Sequence, residues 1–155
     1  MRLVMMHVIV ALVGLLLFGQ CHSGAIIGKA QQKPTFGKPF ILEKGTQVQV
    51  SGQGTAPLAL QFDNLTDSRC PQDVNCMWQG NATVSLKAFG TSGEAKQLEL
   101  CIGDCRPEPV RDKHTLRTTI GAQAYNITLL EVLPLPNSEN NEPASKVKVL
   151  VEPTN

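Results

Sequence analysis

Apolar and polar residues alternate along most of the chain from Phe40 onward. Val48 and Val50 alternate with Gln47 and Gln49, and Leu58, Leu60 and Phe62 with Ala59, Gln61 and Asp63. Ala82, Val84, Leu86 and Ala88 alternate with Thr83, Ser85 and Lys87, and Leu98 and Leu100 with Gln97 and Glu99. The period returns at Tyr125, Ile127 and Leu129, and again at Val147, Val149 and Val151. Successive side chains of a strand point to opposite faces, so this pattern predicts antiparallel sheets packed on one side and solvated on the other. No segment sustains an apolar helical period.

Breakers fall between these segments. Gly52-Gln53-Gly54, Gly90-Thr91-Ser92-Gly93, Gly103-Asp104 and Gly121 stand where strands should end. The run Pro134-Leu135-Pro136 leads into a polar loop from Asn137 to Ser145. About seven or eight short strands with regular turn signals read as an all-β domain, an antiparallel sandwich or a short barrel. Its expected core includes Val50, Leu60, Phe62, Val84, Leu86, Leu100, Ile127, Leu129 and Val149.

The amino terminus changes the picture by suggesting a compartment. Arg2 precedes an apolar run from Val8 to Phe18, followed by Gly19, Ser23, Gly24 and Ala25. A basic start, a short apolar stretch and small residues describe a secretory signal, and the run is shorter than the roughly 20 residues that span a bilayer. The expected division is a signal peptide over 1–21, a flexible leader over 22–38 and the folded domain over 39–153. Cys21, just past the apolar run, resembles the lipid-attachment cysteine of bacterial lipoproteins, although Gln20 stands where a small residue is usual. The expected location is therefore extracytoplasmic, either secreted or held as a periplasmic or outer-membrane lipoprotein. Contact with a membrane is expected only through an anchor at Cys21.

In an oxidising compartment Cys70, Cys76, Cys101 and Cys105 are expected to pair as disulfides, which admits three pairings. Turn residues lie within both close pairs, so Cys70–Cys76 with Cys101–Cys105 is the preferred arrangement. Zinc is the rival reading, but the five-residue gap between Cys70 and Cys76 exceeds the usual ligand spacing. No metal or cofactor is expected.

The run Asp67-Ser68-Arg69-Cys70-Pro71, followed by Val74, Cys76, Trp78 and Gly80, resembles a motif of uncharacterised bacterial secreted proteins and lipoproteins. In these an Asp-Ser-Arg-Cys-Pro run precedes a Cys-x-Trp-x-Gly element that enters a strand. The resemblance extends more loosely from Phe40 to Tyr125. It implies a small exported protein and carries no activity with it.

Trp78, the only tryptophan, can be read in two ways. Its ring can pack over the Cys70–Cys76 bridge and cap the core, or it can anchor a partner together with Arg69. Core packing is the expectation, and Arg69 and Trp78 stand as the candidate binding residues. Asp63, Asp67, Asp73, Asn64 and Asn75 contain oxygen ligands, but their spacing matches no calcium loop and these residues also favour turns. Asp67 is expected to serve turn amides or to pair with Arg69 or Arg106. The three Asn-x-Thr sequons at Asn64, Asn81 and Asn126 read as polar strand faces.

Catalytic signatures are missing from the sequence: no Gly-x-Ser-x-Gly, His-Glu-x-x-His or phosphate loop occurs. A net charge of +1 and 5% aromatic residues argue against a nucleic-acid partner or a sugar-stacking cleft. The sequence thus points to a non-enzymatic exported binding or accessory module for a protein or cell-envelope component. The alternative is an inhibitor of a secreted hydrolase, acting through a disulfide-braced loop.

Overall fold

The alternation is realised as eight strands in a computed structural model that describes residues 33–139 and 143–154. These are β1 (Phe40–Glu43), β2 (Gln47–Gly52), β3 (Thr55–Asp67), β4 (Asn81–Phe89), β5 (Ala95–Gly103), β6 (His114–Ile120), β7 (Gln123–Leu133) and β8 (Lys146–Thr154). They form two four-stranded antiparallel sheets, ordered β1-β8-β7-β6 and β2-β3-β4-β5. The sheets stay separate, so the architecture is a sandwich and not a closed barrel.

Each sheet is largely a meander, and the chain passes between sheets at the β1–β2 and β5–β6 connections. The inner faces meet in one core. All nine residues expected there are fully buried, joined by Leu42, Leu58, Ala82, Ala88, Val132, Val147 and Val151. The flanking polar residues of each strand lie outward, as the period-two reading requires.

Two register shifts decide what happens at one end of this core. The β3–β4 pairing slips between Phe62 and Asn64, and β7–β8 slips between Leu129 and Glu131. A one-residue slip moves the following side chains to the opposite face. Beyond the first bulge, Leu65 is paired with buried Val84 and Asp67 with buried Ala82, so an acid is turned toward the inside at the sandwich's end. Beyond the second, Val132 becomes an inward residue opposite Val147.

Antiparallel connectivity places the β1–β2, β3–β4, β5–β6 and β7–β8 connections at this loop end. The tight β2–β3, β4–β5 and β6–β7 hairpins lie at the other. The chain enters the fold at the hairpin end. The Phe36 amide donates to Ser51 O at 3.1 Å, the Ser51 amide to Pro34 O at 3.2 Å and the Gly37 amide to Val151 O at 2.9 Å. The Phe36 ring stacks 5.9 Å from that of Tyr125. The flexible leader expected through residue 38 is thus corrected: by Pro34 the chain is hydrogen-bonded to the sandwich, because Phe36 has apolar surface to bury there. The signal run and Cys21 lie outside the described residues.

Candidate functional site

The β3–β4 connection, residues 68–80, dominates the loop end. It leaves β3 as an extension of the hairpin: the Ser68 amide donates to Asn81 O and the Cys70 amide to Gln79 O, both at 2.8 Å. Arg69 then turns inward onto Asp67. Its Nε donates to Asp67 Oδ1 at 2.8 Å and Nη2 to Oδ2 at 2.6 Å, a two-pronged pair with Arg and Asp side chains only 12% and 15% exposed. The remaining donors cross to β7 and its exit, Nη1 to Val132 O at 3.0 Å and Nη2 to Pro134 O at 3.3 Å. The planar fork of arginine suits such simultaneous contacts. Arg69 is thereby an internal tie between sheets, which removes it as a surface recognition residue.

Gly80 closes the loop. It sits at φ +66°, and a Cβ there would overlap the Ser68 carbonyl, so only glycine lets the two arms of the loop approach. The Gly80 carbonyl accepts from the Asp104 amide at 2.8 Å, and Asn81 Nδ2 donates to Asp104 O at 3.0 Å. The root of the β5–β6 connection therefore backs onto the first loop.

Two disulfides brace these segments, Cys70–Cys76 and Cys101–Cys105, the local pairing expected from the turn residues between them. On the chain-entropy model each short bridge contributes about 2 kcal/mol. The tip of the first loop is also fastened to the β7–β8 connection. The Gln72 amide donates to Pro136 O at 3.1 Å, and the Asp73 carboxylate accepts from the Ser138 amide at 2.9 Å and from the Ser138 hydroxyl. The Ser138 hydroxyl, and then its amide, holds the Asp73 carboxyl below the usual range. Between these loops lies a groove of about 390 Å³, lined by Lys44, Leu65, Arg69 and prolines 71, 134 and 136.

On this braced frame Met77 is 89% exposed, Trp78 68% and Val74 43%. The expectation that the Trp78 ring covers the disulfide and caps the core is overturned. β4 begins only at Asn81, and the chain between Cys76 and Gly80 projects into solvent instead of entering the sheet. Val110 and Leu135, on the neighbouring loops, are exposed as well.

The oxygen groups weighed as calcium ligands are dispersed. Lys87 Nζ donates to Asp63 Oδ1 at 2.8 Å, Asp67 holds Arg69, and Asp73 holds Ser138. Of the sequon asparagines, Asn64 is exposed on β3, Asn126 is partly covered on β7 and Asn81 serves the Asp104 carbonyl. His114 begins β6, a strand whose inward positions include Thr118 and half-buried Leu116. Its Nδ1 accepts a 3.0 Å hydrogen bond from the Cys101 amide, joining the adjacent edges of the two sheets. Burial first, and then the nearby Arg111 charge, lowers the His114 pKa from its ordinary 6.5.

No family model, curated protein or solved structure matches this chain.

Two substitutions separate backbone strain from close approach. Gly54 also has a positive φ, +72°, but a Cβ there would meet nothing within 4 Å. Gly54→Ala should cost about 1–2 kcal/mol from its left-handed backbone alone. Gly80→Ala should lower the melting temperature clearly further, and equal losses would refute the close approach to Ser68.

His114 yields a pH prediction. Its folded pKa lies below 6.5, so the unfolded chain takes up the proton first. The stability it contributes is complete above pH 6.5 and is lost as pH falls from there through the lower folded value. Denaturant unfolding across this window should show that loss in the wild type and a flatter profile in His114→Ala. Matching profiles would refute the neutral acceptor role.

Proposed function

We propose that the protein is an exported binding or accessory module that engages a protein or cell-envelope component through the loop between β3 and β4. The observation that carries this reading is the exposure of Trp78 and Met77 on a loop held by a disulfide, by Arg69 and by the Asp73–Ser138 contact. Tryptophan is enriched among interface anchors, and a contact surface fixed beforehand loses less entropy on binding. The reading is non-enzymatic: the four cysteines among the described residues are oxidised, and His114 is committed through Nδ1 to a backbone amide.

The two disulfides are compatible with an extracytoplasmic location. The amino-terminal signal-like run and the resemblance of the Asp67–Gly80 segment to bacterial secreted proteins and lipoproteins support export. From Pro34 the chain joins the fold at the hairpin end, opposite the braced loop.

The covalently closed, exposed loop also favours the second reading, an inhibitor that inserts it into the active site of a secreted hydrolase. Affinity capture from envelope extract tests both. The double variant Met77→Ala/Trp78→Ala should keep its melting curve, since exposed substitutions usually fall within about 0.5 kcal/mol each. It should lose the species that wild type retains, whereas Gln97→Ala should keep it. Unchanged capture by the double variant would refute the loop as the contact. A captured hydrolase whose activity falls on binding would establish the inhibitor reading.

A further inference from the structure

A second concave surface lies beside the Cys101–Cys105 bridge, a groove of about 440 Å³ lined in part by Thr83, Glu99, Arg106, Arg111 and His114. Arg111 is fixed from below. Its backbone exchanges both hydrogen bonds with Gly103, the Gly103 amide to Arg111 O at 2.7 Å and the Arg111 amide to Gly103 O at 3.1 Å. Its side chain is only 22% exposed, yet among the described residues the guanidinium makes no hydrogen bond. The carboxylate paired with it, that of Glu108, stands 3.8 Å away, beyond hydrogen-bonding reach. Arg106 differs: it is occupied by Asp104, through Nε at 3.1 Å and Nη2 at 3.0 Å.

His114 supplies a second donor. Because Nδ1 accepts from the Cys101 amide, the neutral ring carries its proton on Nε2, which has no partner among the described residues. Arg111 is close enough for its charge to help keep that ring neutral. A charged fork and a neutral N–H thus line one groove with unmet hydrogen-bonding capacity, while the backbone clamp and the disulfide hold their strands in place.

We propose that this groove binds a carboxylate, which takes the Arg111 guanidinium and the His114 Nε2–H as its donors. A singly charged, planar acceptor fits better than a phosphate dianion. The lining sets Arg106 and Arg111 against Glu99 and Asp104, with Glu108 beside Arg111, so a dianion would meet more repulsion here than a monoanion. The proposal is independent of the role of Trp78. One charge-assisted pair and one neutral bond correspond to an affinity on the order of millimolar.

The test follows the His114 imidazole signals by NMR in the full chain, titrated at constant ionic strength with acetate and, separately, with inorganic phosphate. Acetate should shift the signals saturably, with binding weakened about tenfold or more in Arg111→Gln and unchanged in Lys96→Gln, a substitution at the far end of β5. Arg111→Lys keeps the charge without the fork and should bind acetate several-fold more weakly than wild type. A non-saturating shift, or equal affinity in Arg111→Gln and wild type, would overturn the site. Tighter binding of phosphate than of acetate would overturn its assignment to a carboxylate.

Discussion

The loop end of this sandwich is organised around one guanidinium. Arg69 sits beyond the last residue of β3 in one sheet, grips Asp67 with two donors and reaches the Val132 carbonyl of the other sheet and the Pro134 carbonyl just past its end. Arginine can serve all these acceptors at once because its donors lie in a rigid plane. Truncating it would leave a partly buried carboxylate and backbone carbonyls without partners, which costs more than an intact bond contributes. The shared core holds the sheets together along their length, and Arg69 fixes how they meet where the long connections emerge.

That tie depends on both bulges. Without the slip after Phe62, Asp67 would point outward with the polar face of β3. Without the slip after Leu129, Val132 would not stand inward opposite Val147. The bulges place an acid and a set of carbonyls at the mouth of an apolar interior, and Arg69 neutralises the one and satisfies the others. The Cys70–Cys76 bridge, Gly80 and the Asp73–Ser138 contact then extend this order outward along the loop. Exposed Met77 and Trp78 are therefore displayed on a supported frame, and that combination is what supports a recognition role.

The alternation of side chains made β2, β3, β4, β5, β7, β8 and their shared core legible from the sequence, because burial on one face leaves a period of two. The same signal failed for β1, only four residues long, and for β6. In His114-Thr115-Leu116-Arg117-Thr118-Thr119-Ile120 the inward positions include a histidine and a threonine, so the apolar period is broken although the strand pairs fully with β7. The disulfide pairs were legible from their spacing, and so was the pairing of Asp67 with Arg69. Arg69's reach to the other sheet and the exposure of Trp78 were not. Arg69's cross-sheet acceptors are backbone carbonyls 63 and 65 residues away, which leave no residue-type signature. The Cys-x-Trp-x-Gly element points to a strand entry, whereas β4 starts only at Asn81, three residues after Trp78 and past the turn at Gly80. Arg111 and His114 meet only through the clamp between Gly103 and Arg111 and the pairing of β6 with β7.

The central claim is that the loop displays its tryptophan in solvent while holding it in place. Trp78 is the only tryptophan, so polarised intrinsic fluorescence reads this residue alone. The account predicts a native emission maximum typical of water-exposed indole that barely moves on unfolding, with an anisotropy that drops when Cys70–Cys76 is reduced. A blue-shifted native emission that moves to the red on unfolding would contradict it, and so would an anisotropy already as low in the native, oxidised protein as in the reduced one.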